Sequence, residues 1–204
     1  MSSREKLLAL AKKIDTCKRC ELYKSANHTV VGEGAASAKV VFVGEAPGYH
    51  EDIQGRPFVG NAGKYLSLLL EKVGLRRDDI YITNIIKHRP PENRDPLPAE
   101  IAACSLWLEE QLTQLSPKII VTLGRWSLNF FSPTKKISEV HGLPFRTQDK
   151  VILPMYHPAA ALRNTRIGSS LEEDFLNNKH LLLNPETAEK IEGSFEEGGQ
   201  GSLF

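Results

Sequence analysis

Cysteine is scarce in this chain: there are three, Cys17, Cys20 and Cys104. Three cysteines cannot all pair as disulfides, so a reducing compartment and a metal are the better expectations. Long apolar runs are missing as well, and none approaches the roughly 20 residues that cross a bilayer. The start, Met1-Ser2-Ser3-Arg4-Glu5-Lys6, has no apolar core or cleavage site of a secretory leader. A cytoplasmic protein is therefore expected. Strong net charge is absent too, the formal value being +1. That balance hides an asymmetry. The last twenty residues, Pro185 to Phe204, carry five acids and one lysine, which leaves 25 basic against 20 acidic residues in the body. A body charge of about +5 is compatible with a phosphate-binding face and equally with ordinary solvated charge.

What is present reads as one α/β domain of about 184 residues and an acidic tail over 185–204. Residues 4–15 have the helical spacing Leu7, Leu8, Ala11, Ile14. Apolar strand patterns lie near 39–43, 79–85, 118–123 and 150–155. Helical patterns lie near 61–73, 98–115, 124–131 and 171–182. Strands alternating with helices predict a three-layer α/β/α fold around a central four-stranded parallel sheet. From Pro185 onward Gly and Glu dominate, and disorder is expected.

The densest segment is Gly44-Glu45-Ala46-Pro47-Gly48-Tyr49-His50-Glu51-Asp52, followed by Gly55-Arg56-Pro57-Phe58-Val59-Gly60-Asn61-Ala62-Gly63. It joins a buried strand to a helix, where open α/β sheets place their sites. Its glycines and prolines fix the path and let a ligand approach bare backbone. Three further elements follow in order: Tyr81-Ile82-Thr83-Asn84, Arg89-Pro90-Pro91-Glu92-Asn93-Arg94, and Tyr156-His157-Pro158-Ala159-Ala160-Ala161-Leu162-Arg163-Asn164. Together these four resemble the motifs of the iron–sulfur (family 4 type) uracil-DNA glycosylases, over about Cys17 to His180.

The resemblance implies a monofunctional DNA repair glycosylase that flips uracil out of single- or double-stranded DNA and hydrolyses its glycosidic bond. It implies Glu45 and His157 as catalytic residues, with Gly44, Ala46, Glu51, Phe58 and Asn84 binding the base. Asn84 would read the pairing edge, Phe58 would stack on the ring, and Glu51 would exclude the thymine methyl. Ala46 stands where other glycosylases carry an aspartate base, so Glu45 is the expected carboxylate. Arg89, Arg94, Leu162 and Arg163 would meet DNA, Leu162 as a wedge.

It further implies a [4Fe-4S] cluster on Cys17, Cys20, His88 and Cys104. His88 departs from the family's fourth cysteine, and three cysteines with one histidine would also suit structural zinc or mark a degraded site. Gln200, Leu203 and Phe204, in Gln200-Gly201-Ser202-Leu203-Phe204, resemble a sliding-clamp-binding peptide on a flexible tether. A monomer is expected. Two alternatives stay open: a glycosylase for hypoxanthine or xanthine, and a non-catalytic DNA-damage binding module.

Overall fold

The computed structural model describes residues 2–147 and 150–191. Gln200, Leu203 and Phe204 lie outside the described residues. The first helix, α1 (Ser3–Asp15), is started by Ser2, whose hydroxyl accepts from the Glu5 amide while the Glu5 carboxylate accepts from the Ser2 amide. This reciprocal cap satisfies two otherwise orphaned donors.

Four strands form the parallel centre: β2 (Val40–Gly44), β3 (Tyr81–Asn84), β4 (Ile119–Leu123) and β6 (Lys150–Met155). Each is buried throughout, which explains its near-continuous apolar run. Two antiparallel edge strands extend the expected four to six. They are β1 (Glu33–Gly34) beside β3, and β5 (Phe145–Thr147) beside β6, giving the order β1-β3-β2-β4-β6-β5.

Side chains alternate across the sheet and build two cores. Phe42, Ile82, Val121 and Leu153 face α3 (Asn61–Val73), α8 (Thr165–Asn177) and α9 (Lys179–Leu183). Val41, Val43, Ile120 and Ile152 face α4 (Pro98–Leu115) and α5 (Arg125–Phe131). The three-layer expectation therefore holds. Short helices fill the connections: α2 (Tyr49–Gln54), α6 (Ile137–Val140) and α7 (Pro158–Ala161).

Two expectations need correction. The helix placed at 171–182 starts at Thr165, because the Asn164 side chain accepts from the amides of Arg166 and Ile167; it breaks after Asn177. Disorder does not begin at Pro185. Pro185–Lys190 form a 3-10 turn whose Ala188 is buried, and the Arg146 guanidinium donates to the carbonyls of Ala188 and Ile191. These contacts carry the ordered body to Ile191, past the expected boundary at 184.

Candidate active site

The sheet order puts β2 between β3 and β4, so connections leave its carboxyl edge in opposite directions. Such a divergence opens a crevice at the strand ends. Gly44 ends β2, Asn84 ends β3 directly across the ladder, and Gly124 follows β4. His157 follows β6 and caps α7.

Gly44 is glycine for a steric reason. A Cβ there would fall 2.7 Å from Phe58 Cζ and collide with Asn84 Oδ1. The base of the crevice is thus bare backbone under an amide and an aromatic ring. Asn84 is buried, yet its Oδ1 has no hydrogen-bond partner. An unpaired buried acceptor costs about 1–3 kcal/mol, a cost recovered when a ligand donates to it.

Phe58 is held in a strained, left-handed backbone conformation, φ 53°. Two clamps hold it there. Arg77 donates to the carbonyls of Pro57 (2.7 Å) and Phe58 (3.0 Å). Glu51 Oε1 accepts from the amides of Val59 (2.9 Å) and Gly60 (2.8 Å). The Phe58 ring then lies 5.7 Å from the His157 ring, centroid to centroid.

The two proposed catalytic groups are displaced in opposite directions. Burial and the nearby Asp95 charge push the Glu45 carboxyl up to about 7, against a smaller lowering by Arg125. Burial pushes the His157 imidazole down to about 4, with Glu51 opposing and Arg163 assisting. His157 is therefore neutral at neutral pH. Its Nδ1 accepts from the Ala159 amide at 3.1 Å, so the ring proton sits on Nε2. A neutral imidazole with a fixed Nε2–H is a donor for charge that develops nearby.

The sequence is similar to those of known proteins. The family model for the uracil DNA glycosylase superfamily covers residues 31–179. A type-4 uracil-DNA glycosylase of Sulfurisphaera tokodaii is 44% identical, covering 91% of this chain and 87% of that protein. One from Saccharolobus solfataricus is 42% identical, covering 95% of each. The chain belongs to the uracil-DNA glycosylase superfamily, in its type-4 family. A type-5 uracil-DNA glycosylase of Thermus thermophilus is also similar, at 33% identity over 72% of this chain and 75% of that protein.

The other expected site residues of this type-4 glycosylase differ in their surroundings. Ala46 is half-buried and packs on the α4 side of the sheet. Leu162 is exposed just after α7, as a wedge requires and core packing would not, and Arg163 beside it is exposed too. The arginines of the β3–α4 connection diverge. Arg94 is committed to Glu100 through bonds of 2.6 and 2.9 Å. Arg89 donates to Asn93 Oδ1 and covers the Tyr49 ring.

The suitability of the cysteines and His88 for a cluster can be tested on their surroundings. Cys17 and Cys20 add to the electrostatic load on Cys104, whose buried thiol is pushed up to about 11, burial being the larger cause. A donor already faces one sulfur: Trp107 Nε1–H reaches Cys17 Sγ at 3.1 Å. His88 Nε2 lies 3.0 Å from the Thr29 hydroxyl, which itself donates to the Asp15 carbonyl. Among the described residues no three such side chains stand close enough to share one ion. A cluster does not ask for that, since its ligands hold separate irons. Three cysteines and one histidine, with an N–H donor already on Cys17, are a donor set that fits a group taking sulfur ligands.

Sequence reasoning assigned no role to two residues here. Arg77 clamps the Phe58 turn. Lys87 is fully buried and donates to Thr83 Oγ1 (2.8 Å) and to the Asn84 carbonyl (2.7 Å); burial lowers its ammonium to about 8. It braces the Asn84 end of β3, and its charge lies near the Cys104 thiol. The one available signal was a lysine closing the apolar run Ile85-Ile86, where a buried cation needs partners.

Proposed function

We propose that this chain excises uracil from DNA as a monofunctional glycosylase, starting base excision repair. The observation that carries this reading is the unpaired Asn84 Oδ1 beside Phe58, over a glycine floor that admits a flat ring. Uracil N3–H donates to Oδ1, and the amide N–H donates to O4. Phe58 stacks on the ring. Glu51, already fixed by two amides, stands where the C5 methyl of thymine would come; exclusion by clash is needed because one methyl discriminates weakly by affinity alone. As the C1′–N1 bond breaks, its electron pair leaves with the base, and the Nε2–H of His157 stabilises the charge on O2. Ionised Glu45 faces the sugar cation, orients the water whose oxygen bonds to C1′ and takes the proton that this water loses; the released uracil anion takes up a proton from solvent.

Base release from oligonucleotides carrying one uracil, thymine or hypoxanthine tests this. Release from uracil alone is expected. Release from hypoxanthine instead would move the chain to the deaminated-purine branch, and binding without release would make it a damage-recognition module.

Cys17, Cys20, Cys104 and His88 would hold a [4Fe-4S] cluster, which would supply a structural tie between α1 and the β3–α4 connection and not chemistry on the base. Zinc is the alternative ligand for this donor set. Protein purified without air is expected to carry iron and sulfide. Stoichiometric zinc with no iron would overturn the cluster assignment.

The tail residues Gln200, Leu203 and Phe204 would bind a sliding clamp, supported by sequence resemblance alone. Deleting 200–204 is expected to abolish clamp pull-down while excision from free oligonucleotides is unchanged; retained pull-down would refute the assignment.

A further inference from the structure

Tyr49 is a large aromatic left more than half exposed, at 54%. It stands between two residues that belong to the crevice. Gly48 precedes it, and a Cβ there would come within 2.8 Å of Glu51 Oε2. His50 follows, its ring packed over Gly60, whose amide Glu51 holds. The Tyr49 ring is fixed on two sides: the His50 ring meets it edge-on at 5.4 Å, and the Arg89 guanidinium lies over it at 5.2 Å. Arg89 is itself steadied by Asn93, and among the described residues no carboxylate pairs with it. The pair bridges the connections that follow β2 and β3; the first carries Phe58 and the second starts directly after Asn84.

We propose that Tyr49 and Arg89 form a stacking platform for the nucleobase next to the flipped uracil. The proposal rests on the uracil-excision reading of the same crevice. A strand that delivers one base to Asn84 must present its neighbours at the rim, with their pairing faces free. Base stacking on an aromatic ring is tolerant of sequence, because every base has a π-face. The guanidinium holds the ring by a cation–π contact and brings positive charge to the adjoining phosphate. Since His50 and Arg89 already fix the ring, little side-chain entropy is lost on binding. Arg94, bound to Glu100, does not offer the same charge.

The test uses short single-stranded oligonucleotides in two forms. One carries ordinary deoxyuridine, to measure release. The other carries a 2′-fluorinated deoxyuridine that resists hydrolysis, to measure binding. Each is made with normal neighbours and with baseless sugar residues on both sides of the uracil. Tyr49→Ala is expected to weaken binding of the normally flanked strand about tenfold, and Tyr49→Phe to leave it unchanged. Removing the flanking bases is expected to weaken wild-type binding to the level of Tyr49→Ala and to leave Tyr49→Ala unaffected. Equal losses in wild type and Tyr49→Ala on removing those bases would overturn the platform. Absence of uracil release by the wild-type protein would instead sink the excision reading, and the binding comparison would still decide the platform.

Discussion

Glu45→Gln is expected to slow single-turnover uracil release by roughly 10²–10³-fold at pH 8, within the range for a lost acid–base group. The wild-type rate should rise about tenfold per pH unit below pH 7 and level off above it, since the ionised carboxylate is the working form and burial holds that ionisation at about 7. The variant should have no such limb. Stability moves the other way. The folded protein binds the Glu45 proton more tightly than the unfolded chain does. The native state therefore loses stability as pH rises from the ordinary carboxylate range to about 7. Thermal melts should show Glu45→Gln stabilised over wild type at pH 8 and less so at pH 5. A flat wild-type rate profile between pH 5 and 8 would remove Glu45 from the chemistry and leave positioning and charge to carry the rate.

His157→Ala is expected to cost a further distinct loss of about 10²–10³-fold in the single-turnover rate, the effect of removing one donor to a developing oxyanion. Binding of the hydrolysis-resistant strand should change far less, because the donor acts mostly as the bond breaks. Protonation of His157 should leave no mark on the rate above pH 5, its imidazole being pushed down to about 4. A depressed folded value also means that the native state binds this proton less tightly than the unfolded chain. Stability attributable to His157 is present above the ordinary imidazole range and is lost as pH falls towards 4. An activity limb near pH 6.5 that disappears in His157→Ala would show that the imidazolium, not the neutral ring, is the working form.

The central strands were legible because each is buried on both faces and so spells a continuous apolar run. The edge strands were not. Glu33–Gly34 is two residues long with no apolar alternation, and Phe145–Thr147 is three. The six residues of α2 between Gly48 and Gly55 read as loop for the same reason: too short for a period to show. The early start of α8 did leave a signal, since Asn164 is a strong N-cap, but the following Thr165, Gly168, Ser169 and Ser170 are poor helix formers. The order at 185–191 depends on Arg146, over forty residues earlier, and no local composition reveals such a contact.

At the site, the spacing of glycines and the residues Glu45, Glu51, Phe58, Asn84 and His157 were readable as a family pattern. What the pattern could not give is why the pieces hold still. The left-handed turn at Phe58 needs Arg77 on its carbonyls and Glu51 on the amides beyond it. The Asn84 carbonyl needs the buried ammonium of Lys87. These are pairings of ordinary surface residue types with backbone groups 3 to 20 residues away, and they acquire meaning only when the chain is folded.

The most direct measurement is to incubate wild type and Asn84→Ala with a single-uracil oligonucleotide at excess enzyme and to weigh both products by mass spectrometry. Wild type is expected to yield free uracil and an unbroken strand bearing one abasic site, with Asn84→Ala slower by at least tenfold, as expected for the loss of a buried recognition pair. Equal release by the two proteins, or a strand cut without free uracil, would contradict the pocket built on Asn84.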